Sequence, residues 1–140
     1  MVENGLAVTV GIHPKHTPVS NHQLKKLEKL LDLTDVAGLG EIGLDHSDKA
    51  KGDVWYKQVS FLEKVLPLAR KEHVVVFHCR GPWSYVDSID EQGTLDHLYY
   101  HLMMSARLYL KPDQLIHLHC FTGSLVVAQD LQVRQDTTLR

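Results

Sequence analysis

The chain has little cysteine, no excess of charge of one sign and no long apolar run. Cys79 and Cys120 are the two cysteines among 140 residues, too few for a small secreted scaffold held by disulfides. The N-terminal stretch MVENGLAVTV lacks the basic start and extended apolar core of a signal peptide. The expected setting is therefore reducing and intracellular, cytoplasmic or nuclear. A formal charge of -2 with scattered Lys and Arg leaves no basic face, so charge alone does not draw the chain to nucleic acid, and a phosphate substrate would need a metal or a single arginine to help. No apolar run approaches the roughly 20 residues of a membrane span, and no membrane partner is expected. What is present is 44% hydrophobic residues, enough for one core and too short a chain for two ordinary domains. Ten histidines complete the inventory, and only their positions can sort ligands from bystanders.

Periodicity divides the chain into strands and helices in alternation. Leu6 to Ile12 reads as a strand closed by Gly11, His13 and Pro14. Ser20 with Gln23 forms a capping box ahead of Leu24, Leu27, Leu30 and Leu31, which predicts an amphipathic helix to about Leu33. Val36 to Leu44 is a strand laced with glycines, which mark close backbone approach or a bend. Asp53 is expected to cap a long helix to about Glu72, with Pro67 bending or breaking it between Lys64 and Leu68. Val74 to His78 is continuously apolar, as expected of a parallel strand covered on both faces. Gly81 to Gly93 reads as loop, Thr94 caps a helix through about Leu108, and Leu115 to Cys120 is the fourth strand. Ser124 caps a last helix to about Arg134. Helix-length crossovers force parallel pairing. The fold class is α/β, about four parallel strands each followed by a helix: a partial TIM-like (β/α) barrel, since a closed one takes ~250 residues.

Three of these strands end in groups that bind hard cations: GLGEIGLDH around Glu41, VVVFHCR around His78 and LIHLHCFTG around His119. Strands ending in histidine or carboxylate are how a parallel scaffold converges ligands from distant sequence. A glutamate inside an apolar strand is costly without a partner, which favours a metal role for Glu41 over a carboxylate satisfied by backbone amides. His78 and Arg80 alternate onto the same side of their strand. The pair reads as a ligand beside a phosphate-facing cation. Cys79 and Cys120 follow inward-pointing histidines and are expected to be small core residues against the helix layer. Tyr99, Tyr100, Met103 and Met104 are expected to be core.

In order along the chain, GIHPKH (Gly11 to His16), AGLGEIGLDH (Ala37 to His46), VVVFHCR (Val74 to Arg80) and LHCFTGS (Leu118 to Ser124) resemble successive strand ends of the TatD family of metal-dependent deoxyribonucleases. The resemblance implies a barrel that holds up to two divalent cations (Mg, Mn or Zn) and hydrolyses phosphodiester bonds, with DNA as the expected substrate. It implies that Glu41 matches the bridging carboxylate and that His78 and His119 match two later histidine ligands. The first-strand His-x-His and the late Asp of the family are not found here, so the pattern corresponds to the third to sixth barrel strands. The expectation is a single domain over residues 1–140, truncated at both ends, that keeps one of two metal positions. The family motif selects His119 over His117, which is assigned one layer deeper. His13 lies near the expected site mouth, where substrate contact and a plain loop role are balanced. Asp45 either orients a ligand or forms a turn. The stretch between His78 and His119 is long and would shape substrate access.

Two rival classes stand beside the nuclease reading. One is an inactive partial barrel that self-associates through its open sheet edges. The other is a different metal-dependent amidohydrolase, since the same donor set on the same fold can cut amides or lactones.

Overall fold

A computed structural model describes residues 5–47, 52–81 and 95–130. The first helix shows how local chemistry sets an element. Ser20 Oγ accepts from the Gln23 N–H at 3.2 Å, and Gln23 Oε1 accepts from the Ser20 N–H at 2.9 Å, a complete capping box. Helix α1 (Asn21–Leu31) then presents Leu27 and Leu31 to the core. It follows a short strand β1 (Val8–Val10) and a single 3₁₀ turn, Pro14–His16.

Strand β2 (Val36–Asp45) leads to helix α2 (Gly52–Val65), which ends where proline begins to act. Leu66–Leu68 is a 3₁₀ turn with Pro67 in its first positions, so the expected break falls within the predicted window and the α-helix does not continue to Glu72. Asp53 is not the cap. It sits inside the first turn and pairs with Lys57 at 2.8 Å, where a carboxylate opposes the positive end of the helix dipole. Strand β3 (Val74–Arg80), helix α3 (Leu95–Tyr109) and strand β4 (Leu115–His119) follow. Ser124 Oγ accepts from the Val127 N–H at 3.2 Å and opens helix α4, described over residues 125–130. The predicted loop after Gly81, the Thr94 cap and the last turn to Arg134 lie outside the described residues.

All pairing is parallel, in the order β1-β2-β3-β4. A parallel sheet whose strands neighbour one another in chain order, joined by crossovers of one hand, carries its helices on one face. The core reflects this. Leu39, Ile42 and Leu44 of β2 and Val75, Phe77 and Cys79 of β3 form one buried cluster with Leu31, Leu62, Val65, Leu98, Tyr99 and Leu102 from the helices. The opposite face is open: Val74, Val76 and His78 are only half-buried, while His117 and His119 are exposed. The expectation that β3 is covered on both faces is therefore corrected. Its outer face packs under helices, whereas its inner face is the one that a closed barrel would fill.

Two further expectations change. Cys120 is not a core residue; it follows β4 at a φ of 48° and is exposed, whereas Cys79 is buried as expected. Met104 points outward at 54% exposure, because the core face of α3 runs through Leu98, Tyr99, Leu102, Met103 and Ala106.

Candidate metal centre

Glu41 reaches the inner face because β2 carries one extra residue. Leu39 pairs with Val75 and Ile42 pairs with Phe77, so Gly40 and Glu41 together oppose Val76. Strict alternation would have put Glu41 on the helix side with Leu39. The bulge reverses the parity, so that Ile42 and Leu44 stay buried in the core while Glu41, Gly43 and Asp45 turn inward. Glycine is required at both ends of this device. Gly40 and Gly43 each adopt a φ of +150°, and a Cβ on Gly43 would collide with the His78 carbonyl. The peptide between Gly40 and Glu41 is cis.

His78 pairs with Gly43 on one side and His119 on the other, so the three form one row across the sheet. Its imidazole is held at both nitrogens. Nδ1 lies 2.5 Å from Glu41 Oε1 and Nε2 lies 2.8 Å from Asp45 Oδ2. His119 Nε2 stands 3.9 Å from the same Glu41 oxygen. Thus Glu41, His78 and His119, far apart in sequence, meet at one rim of the sheet. His119 is the looser member, 46% exposed at its side chain and 3.3 Å from Cys120 Sγ through Nε2.

The tightest group of cation donors among the described residues is a different one. His13, Asp45 and His78 each offer a ligand atom, all within 4.8 Å of one another. His13 caps the 3₁₀ turn, accepts from the Lys15 N–H through Nδ1 at 3.2 Å, and places its ring 4.4 Å from that of His78. Burial holds its pKa below the ordinary histidine value, with the neighbouring His78 adding to the effect. Imidazole nitrogens and carboxylate oxygens are the donors that Mn²⁺ and Zn²⁺ accept, and Mg²⁺ through the carboxylates. The donor chemistry fits one divalent cation, with His78 common to both donor groups.

Asp45 performs both of the roles weighed for it. Its Oδ1 accepts from the Ser47 Oγ at 2.5 Å and from the Ser47 N–H at 3.0 Å, closing a turn. Its Oδ2 orients His78. Burial alone would raise the carboxyl's pKa, but the two Ser47 hydrogen bonds and the contact with His78 outweigh it and hold the value below the usual 3.8.

Gln58 is the residue that sequence reading missed. Fully buried on α2, it accepts from the Asp45 N–H at 3.0 Å, and its amide donates to the Asp45 carbonyl at 3.0 Å and to the Pro14 carbonyl at 3.4 Å. It thereby ties the end of β2 to the turn that carries His13. Its one sequence signal is a lone amide within the apolar stripe of Trp55, Val59 and Leu62. Arg80 ends β3 opposite Asp45, exposed at the rim; its carbonyl accepts from the His46 N–H at 2.7 Å. His117 occupies the layer below His119 and is exposed, because that layer is open.

Successive parallel strands whose carboxyl ends present histidine and carboxylate to one rim are the arrangement of barrel-type metal sites. The profile of the TatD related DNase family matches residues 2–135, and the chain belongs to that family. It is 32% identical over 123 residues to the human 3'-5' RNA nuclease TATDN2, a stretch covering 86% of this chain and 14% of that protein. The chain thus spans about one seventh of the length of this relative. No helix among the described residues is long and apolar enough to cross a membrane.

Proposed function

We propose that this chain is a metal-dependent phosphodiester hydrolase acting on nucleic acid, with DNA as substrate and Glu41, His78 and His119 as ligands to one divalent cation. The observation that carries the reading is the meeting of Glu41 and His119 on either side of His78 at a single rim, together with family membership. A bound cation would polarise a phosphoryl oxygen and make water more acidic.

The chain's own groups do the rest. Asp45 fixes the His78 ring through Nε2, which leaves Nδ1, beside Glu41, as the ligating nitrogen. Glu41, one-third exposed at its side chain, would help hold the cation and accept a proton from water brought to the site. Arg80, exposed at the rim end of β3, would meet a phosphate oxygen. His13 walls the β1 side of the site. Free Cys79 and Cys120 agree with an intracellular setting.

The test compares wild type with Glu41→Ala on single-stranded DNA and on RNA of the same sequence, with Mg²⁺, Mn²⁺ or Zn²⁺. Metal-dependent cleavage by the wild type and loss of at least ~100-fold in the variant is expected. Equal cleavage by both removes the mechanism, and preference for RNA transfers the substrate to the class cut by the human relative.

A second reading is favoured by the sheet edges. Among the described residues β1 and β4 each pair on one side only, and Val8 and Leu115 are exposed there. On this reading the unit is a partial barrel without hydrolytic activity that self-associates through those edges. A concentration-independent monomer in sedimentation equilibrium rejects it.

A further inference from the structure

Radially outside the candidate centre, on the same rim, lies a second group of rings. Trp55 occupies the first turn of α2, which begins above the carboxyl end of β2. His97 and His101 occupy the first two turns of α3, which begins above the carboxyl end of β3. His46 is the residue after Asp45. The ring centroids of His46, His97 and His101 lie 5.3, 5.9 and 4.7 Å from that of Trp55. His46 meets the indole nearly at right angles, at 82°, while His97 is tilted by only 34°.

We propose that Trp55, flanked by His46, His97 and His101, is a stacking subsite for a base of a single-stranded nucleic acid whose phosphate sits at the neighbouring metal centre. The proposal deepens the nuclease reading and rests on it for the phosphate.

Three observations separate this from an ordinary core tryptophan. Trp55 packs on the hydrophobic core yet is only half-buried, and three of its ring neighbours are imidazoles. The cluster is continuous with the site: Asp45 turns inward to His78, and the next residue, His46, turns outward to Trp55. Charge is not what the indole offers, and burial, followed by the neighbouring His97, holds the pKa of the flanking His101 below the ordinary histidine value; the indole itself is a flat uncharged surface. Bases of every kind stack on such a surface, because each has a π-face. A chain with a net charge of -2 has little long-range attraction for a polyanion, so base stacking is a source of affinity beside the cation and Arg80.

Two tryptophans, Trp55 and Trp83, are present, so Trp83→Phe leaves Trp55 as the single indole reporter. The full chain carrying this change is titrated, with Mn²⁺ present, with a phosphorothioate-linked single-stranded hexanucleotide and with its abasic counterpart, while the anisotropy of a labelled strand reports occupancy. The expected result is saturable quenching of Trp55 emission by the hexanucleotide and binding about tenfold weaker for the abasic strand. Trp55→Ala should bind both strands with the weaker affinity, and Trp55→Phe should recover most of the difference. Unchanged Trp55 emission at saturation, equal affinity for the two strands, or absence of binding overturns the proposal. Quenching without cleavage of an unmodified strand would overturn the nuclease reading and leave the subsite standing; cleavage with silent Trp55 would do the reverse.

Discussion

Asp45 Oδ2 lies 2.8 Å from His78 Nε2 with its carboxylate 1% exposed, so the ring of His78 is oriented by a buried acid from the adjacent strand. A carboxylate behind a ligating histidine fixes its rotation and raises its basicity, and loss of such a partner commonly weakens metal affinity 10- to 100-fold. Asp45→Asn should keep the fold and weaken Mn²⁺ binding by roughly that factor in isothermal titration. An unchanged dissociation constant would leave Asp45 with only its turn to Ser47.

Gly43 tests the backbone beneath the site. Any Cβ there meets the His78 carbonyl, and the φ of +150° is strained for other residues. Gly43→Ala should cost about 3 kcal/mol or more, seen as a lower urea midpoint. A neutral effect would contradict the close approach of β2 and β3.

Gln58 makes three hydrogen bonds to main-chain groups of Asp45 and Pro14. Gln58→Leu preserves volume but strands a buried N–H and carbonyl at about 1–3 kcal/mol for an unsatisfied group. Chemical denaturation should show that loss. Hydrogen exchange should show the Asp45 amide losing protection ahead of β3.

His73 gives the molecule an acid-side weakness. It is 1% exposed, accepts from the Arg70 N–H through Nδ1 at 3.0 Å, and sits beneath Gln114, which donates to the His73 and Arg70 carbonyls. Burial first, and the Arg70 guanidinium second, depress its pKa below 6.5. The unfolded chain therefore takes up a proton at higher pH than the folded one. The stabilisation from neutral His73 is complete above about 6.5 and is lost as pH falls from there through the lower folded value. Urea midpoints measured from pH 7.5 to 5 should decline, and His73→Gln should flatten that decline. Parallel curves for the two proteins would assign the acid sensitivity elsewhere.

The parts of the fold set by nearest-neighbour chemistry could be read from the chain. The Ser20 and Gln23 box, the break at Pro67 and the Ser124 cap depend on residues within one or two turns. Asp53 was misplaced because an acidic residue near a helix start serves equally as a cap or inside the first turn. The helix face of Met104 and the position of Cys120 were missed because each depends on where an element ends and which side of it is covered.

What the sequence by itself determined is a succession of strands and helices with cation-binding groups at the strand ends, since hydrophobic period and capping act locally along the chain. Only the tertiary structure decided that Glu41 faces His78, because the added residue opposite Val76 shows its effect once β2 and β3 are in register. The same holds for Asp45, Gln58 and Trp55. Their roles come from partners that sequence separates and a parallel sheet, with its helices on one face, brings to a common rim.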